Sequence, residues 1–265
     1  MDPVLESGSA AARVQADAEG YAPGYADDAL SMMSARTVGD QAGFVLRLLR
    51  PGMRVLDVGC GPGTITRGFV PVVGGAGRVL GIDPVPARFP QDSTVDFVAG
   101  SVYALPIPSE SVDVVFAHAL FEHLGRPAEA LAELRRVLEP GGTLALSTSD
   151  WSRARLRPRT ANVDAALRGH YLLRRRTGGD PFAGKHIATH VTHAGFRDIH
   201  SHARFRPDMP YRALAKYIES RLDEALKAAP ADRDQLASAA RSAWSWSHSG
   251  DGDFTQCWQE LTATK

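Results

Sequence analysis

The stretch VLDVGCGPGTIT, residues 55–66, sets Asp57, Gly59, Cys60, Gly61 and Gly63 at the end of an apolar run, and GIDP supplies Asp83 further along. A strand that enters a helix through glycines presents backbone N–H groups and a positive helix end. The missing Cβ atoms let a ligand lie against the main chain. Spacing narrows the ligand. The glycines run Gly-x-Gly-x-Gly, with Thr64 where a nicotinamide fingerprint carries its third glycine, and the Lys-Ser/Thr pair of a phosphate-binding loop is absent. A pyrophosphate is therefore disfavoured. At the position of Asp83 a carboxylate can accept both hydroxyls of a ribose. Plainer roles stand beside these: Asp57 can cap the glycine turn, and Asp83 a helix that starts at Pro84. Cys60 has nothing basic beside it in sequence, and the loop asks only for a small side chain, so it is not read as a nucleophile.

Such residues need a frame of strands and crossovers. Leu30, Met33, Val38, Phe44, Leu46 and Leu49 recur at mostly helical intervals before Pro51-Gly52, which predicts one or two helices ahead of the first strand. From residue 53 the chain alternates between MRVLDVG, the helical TITRGFVPVV, GRVLGID, VDFVAG, VDVVFAH, the helix RPAEALAELRRVLEPGG and TLALSTS. Five strands separated by crossovers predict a doubly wound α/β sheet. Beyond Ser149 the pattern loosens. WSRARLRPRT reads as a loop or frayed helix, and DPFAGKHIATHVTHAGF as a helix with Asp180 as N-cap and Pro181 at its first position. FRDIHSHARFRP alternates like a strand, and two helical stretches fill residues 211–247.

The ordered set VLDVGCGPG, GIDP, AGSVYALPIPSESVDVV, VVFAHALFEHL and LRRVLEPGGTLALS resembles the class I S-adenosylmethionine-dependent methyltransferases, in particular the branch similar to the ubiquinone/menaquinone C-methyltransferases. The resemblance covers residues 40 to 150 well and extends weakly to the C-terminus. It implies a Rossmann-like, mostly parallel seven-stranded sheet with helices on both faces. Residues 1–50 would be a tail and helical lid, 51–150 the cofactor-binding core, and 151–265 the rest of the domain, with a helical insertion at about 207–250 over the substrate. By the same resemblance, the cofactor is S-adenosyl-L-methionine. Gly59, Cys60 and Gly61 lie along its methionine part, with Asp57 nearby and Gly63 in the same loop. Asp83 holds the ribose hydroxyls, Pro84 flanks the adenine, and Ser101 with Val102 stands at its edge. This chain departs from the family there, carrying a serine where an acid is usual. His118 is expected near the bound cofactor.

The activity implied is methyl transfer to an O, N or C atom of a small molecule. Alternatives are a cyclase or isomerase that uses the cofactor structurally, a protein or RNA methyltransferase, or a cofactor-binding protein without turnover. His118 and His123 bracket the fourth strand's exit and are the candidate bases. Tyr21, Tyr25, Met33, Trp151 and Phe205 are the candidate acceptor contacts. His186, His190 and His193 can share a helical face, but no carboxylate or thiolate completes a ligand set, so no metal is expected. Arg174 to Arg176 read as a solvated face. Thirty basic and thirty acidic residues give a formal charge of zero, which argues mildly against a nucleic-acid partner. Two cysteines fit a reducing compartment, and no apolar run approaches the roughly 18 residues that span a bilayer. With neither the basic start nor the apolar centre of a signal peptide, the chain is expected to be cytoplasmic, unattached to membranes, and a monomer or homodimer.

Overall fold

Residues 33–85, 95–228 and 231–265 are described by the computed structural model; Tyr21 and Tyr25 lie outside them. Five parallel strands form one half of the sheet: β1 (Arg54–Val58), β2 (Arg78–Asp83), β3 (Asp96–Ala99), β4 (Val112–His118) and β5 (Leu138–Ser149). Their order is β3-β2-β1-β4-β5, so the chain runs outward from β1 in one direction, then returns to build the other side from β4. That reversal opens a crevice at the carboxyl ends of β1 and β4, where ligands of doubly wound sheets bind. Three functional side chains end strands at this edge: Asp57 near the end of β1, Asp83 on β2 and His118 on β4.

Alternation along the strands sends side chains to two faces. Leu56, Val58, Val115 and Ala117 pack with α3 (Pro127–Val137) and α5 (Ala183–His193). Val55, Val114 and Phe116 pack instead with α1 (Val38–Leu46) and α2 (Thr64–Val73). On that second face Phe69 meets Phe116 edge to face at 5.4 Å, a geometry that adds about 1 kcal/mol to the area buried.

The second half of the chain completes the sheet in an antiparallel sense. The C-terminal run forms β8 (Asp253–Thr264), which lies antiparallel to β5 on one side and to β7 (Arg197–Arg206) on the other. The three-residue β6 (Arg155–Arg157) also pairs β8, making eight strands in all. WSRARLRPRT thus contributes a short strand, against the expectation of a loop or frayed helix.

Over this edge sits a helical cap with its own core. It is made of α4 (Ala161–Arg176), α6 (Tyr211–Lys227) and α7 (Arg233–Ser247), packed through Leu167, Tyr211, Ile218, Leu236 and Trp246. The cap's α4 had no counterpart in the sequence reading. Its N-cap is Thr160, which accepts from Val163 N, and its buried residues Val163, Ala166, Leu167, His170 and Arg174 recur at intervals of three and four along one face. α5 begins at Ala183, later than expected. Asp180 Oδ1 accepts from Phe182 N at 2.8 Å and so fixes the turn ahead of the helix.

Candidate functional site

The glycine loop leaves β1 with Gly59, Gly61 and Gly63 all at left-handed φ, +72°, +53° and +71°. Glycine adopts this region without the penalty other residues pay. Gly59 N and Cys60 N both donate to Ile82 O, at 2.8 and 3.2 Å, which ties the loop to β2. Asp83 completes the tie. Its Oδ2 accepts from Gly61 N and its Oδ1 from Val85 N, each at 3.0 Å, so the carboxylate is oriented by the backbone. Asp57 is buried and accepts a 2.6 Å bond from Thr66 Oγ1. Burial, with Asp83 adding a like charge, pushes its carboxyl up to about 7.

A cavity of about 100 Å³ lies along this loop, walled by Asp57, Gly59, Cys60, Gly61, Asp83 and Pro84, with His118 at its far side. These donors suit S-adenosylmethionine. Backbone without Cβ runs along one wall, an oriented carboxylate stands at the end of β2, and a second buried carboxylate is available to a cationic group. Three of the expected cofactor contacts lie outside this cavity's wall. Gly63 does not line the cavity: a Cβ there would lie 2.3 Å from Phe97 Cζ, so this glycine serves packing between α2 and β3. Ser101 and Val102 are also absent from the lining. They are buried at the turn after β3, where Ser101 Oγ accepts from Tyr103 N.

A larger cavity of about 220 Å³ opens between the sheet edge and the helical cap. Met33 and Trp151, expected acceptor contacts, line it. Phe205 does not. Its place on β7 puts its ring beneath the Arg155 guanidinium, 3.9 Å away. The two cavities share the walls Met33, Arg36, Ala119 and His123. Ala119 has φ +53°, rare for a residue with a Cβ, and this is where the chain turns out of β4.

His118 and His123 are both buried. His118 packs against Trp258 with ring centroids 4.5 Å apart. Burial holds both imidazoles well below their ordinary range; Arg36 contributes to both, Arg206 to His118 and Arg174 to His123. Both are therefore neutral at pH 7, able to accept a proton but weakly basic.

Several groups in the larger cavity escaped the sequence reading. Glu122 is buried, its carboxyl raised by that burial, and Oε2 has no hydrogen-bonding partner among the described residues. His170 is held down to about 3, first by burial and then by Arg174 and Arg221. Arg174 is buried, which corrects the assignment of Arg174 to Arg176 as a wholly solvated face. The signal that would have found His170 and Arg174 is the three-and-four spacing of α4. No three His, Cys, Asp or Glu among the described residues are grouped to hold a metal ion.

The Methyltransferase domain family matches residues 56–146, and the Protein-L-isoaspartate(D-aspartate) O-methyltransferase family matches residues 14–93. An uncharacterized methyltransferase of Schizosaccharomyces pombe is 32% identical over 177 residues, which are 60% of this chain and 63% of that protein. The chain thus spans less than two thirds of that relative's length. A demethylmenaquinone methyltransferase of Renibacterium salmoninarum is 32% identical over 173 residues, 62% of this chain and 69% of that one. Among solved structures, the cyclopropane synthase MmaA2 of Mycobacterium tuberculosis shares the fold with a TM-score of 0.57 at 18% identity, over 93% of this chain and 97% of that chain. No helix among the described residues is long and apolar enough to cross a membrane. Its matched sequence, its sheet order and its glycine loop agree: the chain belongs to the class I S-adenosylmethionine-dependent methyltransferases.

Proposed function

We propose that this protein is an enzyme that moves a methyl group from S-adenosylmethionine to an O, N or C atom of a small molecule. The observation that carries the reading is the adjacency of two cavities, one along the glycine loop and one under the helical cap, which share Ala119 and His123 as walls. In this reading Gly59, Cys60 and Gly61 receive the methionine part and Asp57 its ammonium. Asp83 takes the ribose hydroxyls and Pro84 flanks the adenine. Ser101 and Val102 remain near the adenine edge only through the turn they share with the end of β2, where Gly100 N donates to Asp83 O. Bound S-adenosylmethionine supplies a methyl group already activated on a sulfonium. The chain's task is then to hold the acceptor in line and exclude water.

Where the acceptor must lose a proton, His123 and Glu122 are the candidate groups on the larger cavity's wall, which His170 and Asp208 also line. Burial raises the Glu122 carboxyl and lowers the His123 imidazole, in each case favouring the uncharged form. His118 lines only the smaller cavity and packs on Trp258, which favours a positioning role for it. The demethylmenaquinone methyltransferase relative supports a ring-containing acceptor as a finer reading. The division at residues 50 and 150, a lid from the N-terminal segment bearing Tyr21 and Tyr25, a cytoplasmic setting and a monomeric or homodimeric state belong to the same proposal. The test is incubation with S-adenosylmethionine tritiated on the methyl group and small-molecule extracts. Label entering an extractable compound is expected. Bound cofactor with no label transferred across extracts would count against turnover.

A further inference from the structure

Arg174 is only 6% exposed, yet its Nε and Nη1 have no hydrogen-bonding partner among the described residues. A buried guanidinium whose N–H groups find no hydrogen-bond acceptor is costly, and the Glu122 carboxyl, close enough to feel its charge, makes no hydrogen bond to Nε or Nη1. Arg174 also lines the larger cavity, so the missing partner can come from a ligand. A guanidinium fork matches the two oxygens of a carboxylate in one plane.

The charges on the cavity wall support an anion. Arg36 and Arg174 are cationic. Of the two carboxylates, Asp208 is already engaged by Trp258 Nε1 and lies 3.6 Å from Arg206 Nε. Glu122 has no hydrogen-bonding partner at Oε2 among the described residues; burial raises its carboxyl and the nearby Arg174 charge opposes that rise. The rest of the wall mixes aromatic and apolar groups with the uncharged polar side chains of Gln41, Ser149 and Gln256 and the neutral imidazoles of His123 and His170. Trp151 stacks on Phe254 at 5.8 Å and 17°, with Tyr217 also on the lining. About 220 Å³ equals the share of roughly seven water molecules, room for a molecule of one or two rings.

We propose that the methyl acceptor is a ring-containing carboxylic acid, its carboxylate gripped by the Arg174 guanidinium while its ring lies among Trp151, Tyr217 and Phe254. This deepens the methyl-transfer reading and rests on it for the word acceptor; the charge preference of the cavity stands by itself. Arg174 acts here as a binding and specificity residue. Its burial without a protein partner is then a stability cost retained for recognition.

The experiment measures Kd by calorimetry for matched probes, with and without saturating S-adenosylhomocysteine. The probes are 4-hydroxybenzoate against 4-hydroxybenzamide, 1-hydroxy-2-naphthoate against its amide, and 4-hydroxybenzylamine as the cation. The wild-type protein should bind at least one acid about tenfold or more tighter than its amide, and the amine weakest. Arg174→Met should reduce the acid-to-amide ratio to about twofold or less, and Arg174→Lys should restore part of it. Arg174→Met should also keep its affinity for S-adenosylhomocysteine and melt at an unchanged or higher temperature, whereas a merely structural arginine would lower the Tm. The proposal is overturned if amide or amine binds as tightly as the acid, if the preference survives in Arg174→Met, or if no probe binds to folded protein. Loss of S-adenosylhomocysteine binding alone would instead strike the methyl-transfer reading, since the acid-to-amide ratio is also measured without it.

Discussion

Asp57 makes the cofactor's affinity a function of pH. Its carboxyl sits at about 7, raised from an ordinary 3.8 by burial, with the Thr66 bond opposing and Asp83 assisting the rise. Near neutral pH the free protein is thus a mixture of acid and anion at this site. A bound ammonium beside Asp57 stabilises the anion and draws its pKa back toward about 4, so binding must expel a proton below pH 7. With those two values, affinity for S-adenosylhomocysteine falls about tenfold at pH 6 and about eightyfold at pH 5 relative to pH 8. His118 and His123 do not obscure this window, because both are held well below their ordinary range. The same raised pKa destabilises the free fold at high pH. A carboxyl whose folded pKa exceeds its unfolded one contributes stability that is full below pH 3.8 and lost as pH rises through 7, here about 4 kcal/mol. Asp57→Asn should therefore weaken binding at pH 8 by about ten- to a hundredfold through loss of a charged partner. It should also raise the melting temperature of the ligand-free protein at pH 8 and flatten the pH dependence of Kd. Calorimetry from pH 5 to 8, paired with thermal melts, reads all three. Equal affinity at pH 6 and pH 8, or an unchanged slope in Asp57→Asn, would refute the reasoning.

Asp83→Ala removes the carboxylate expected to take two ribose hydroxyls and releases Gly61 N and Val85 N. Charged hydrogen bonds contribute about 1.5–3 kcal/mol each, so S-adenosylhomocysteine affinity should drop a hundredfold or more by calorimetry. Gly63→Ala should lower the Tm more than Gly59→Ala. Its Cβ would lie 2.3 Å from the Phe97 ring, against 3.1 Å from the flexible Leu120 Cδ1 at Gly59. His170, held at about 3 against an ordinary 6.5, binds more protons unfolded than folded between those values. Its contribution is present above pH 6.5 and lost as pH falls toward 3, up to about 5 kcal/mol, so His170→Phe should soften acid denaturation in pH-dependent melts.

How far these features could be read in the sequence depended on whether their signal was local. The glycines and the two carboxylates were legible because strand, turn and helix start lie within a few residues, and the parallel half of the sheet followed from alternation of apolar runs. The packing demand on the loop's third glycine is not legible locally, because the Phe97 ring it accommodates stands on another strand, β3. The place of Phe205 is hidden for a related reason. On a strand, face is set by register, and β7 takes its register from β8, where Phe205 pairs Cys257. α4 hid behind its charge. Five arginines between Arg153 and Arg168 obscured an ordinary buried stripe, and Arg174 looked no different from Arg175 and Arg176. Glu122, between two residues of interest, acquires its character only through burial under the cap.

The most direct test of the central claim, that the glycine loop delivers a methyl donor to the mouth of the larger cavity, is a crystal structure of the protein with S-adenosylhomocysteine. The expected result is a ligand lying along Gly59–Gly61 with its ribose hydroxyls on Asp83 and its sulfur facing the larger cavity between Ala119 and His123. A ribose bound away from Asp83, or a sulfur walled off from that cavity, would contradict it.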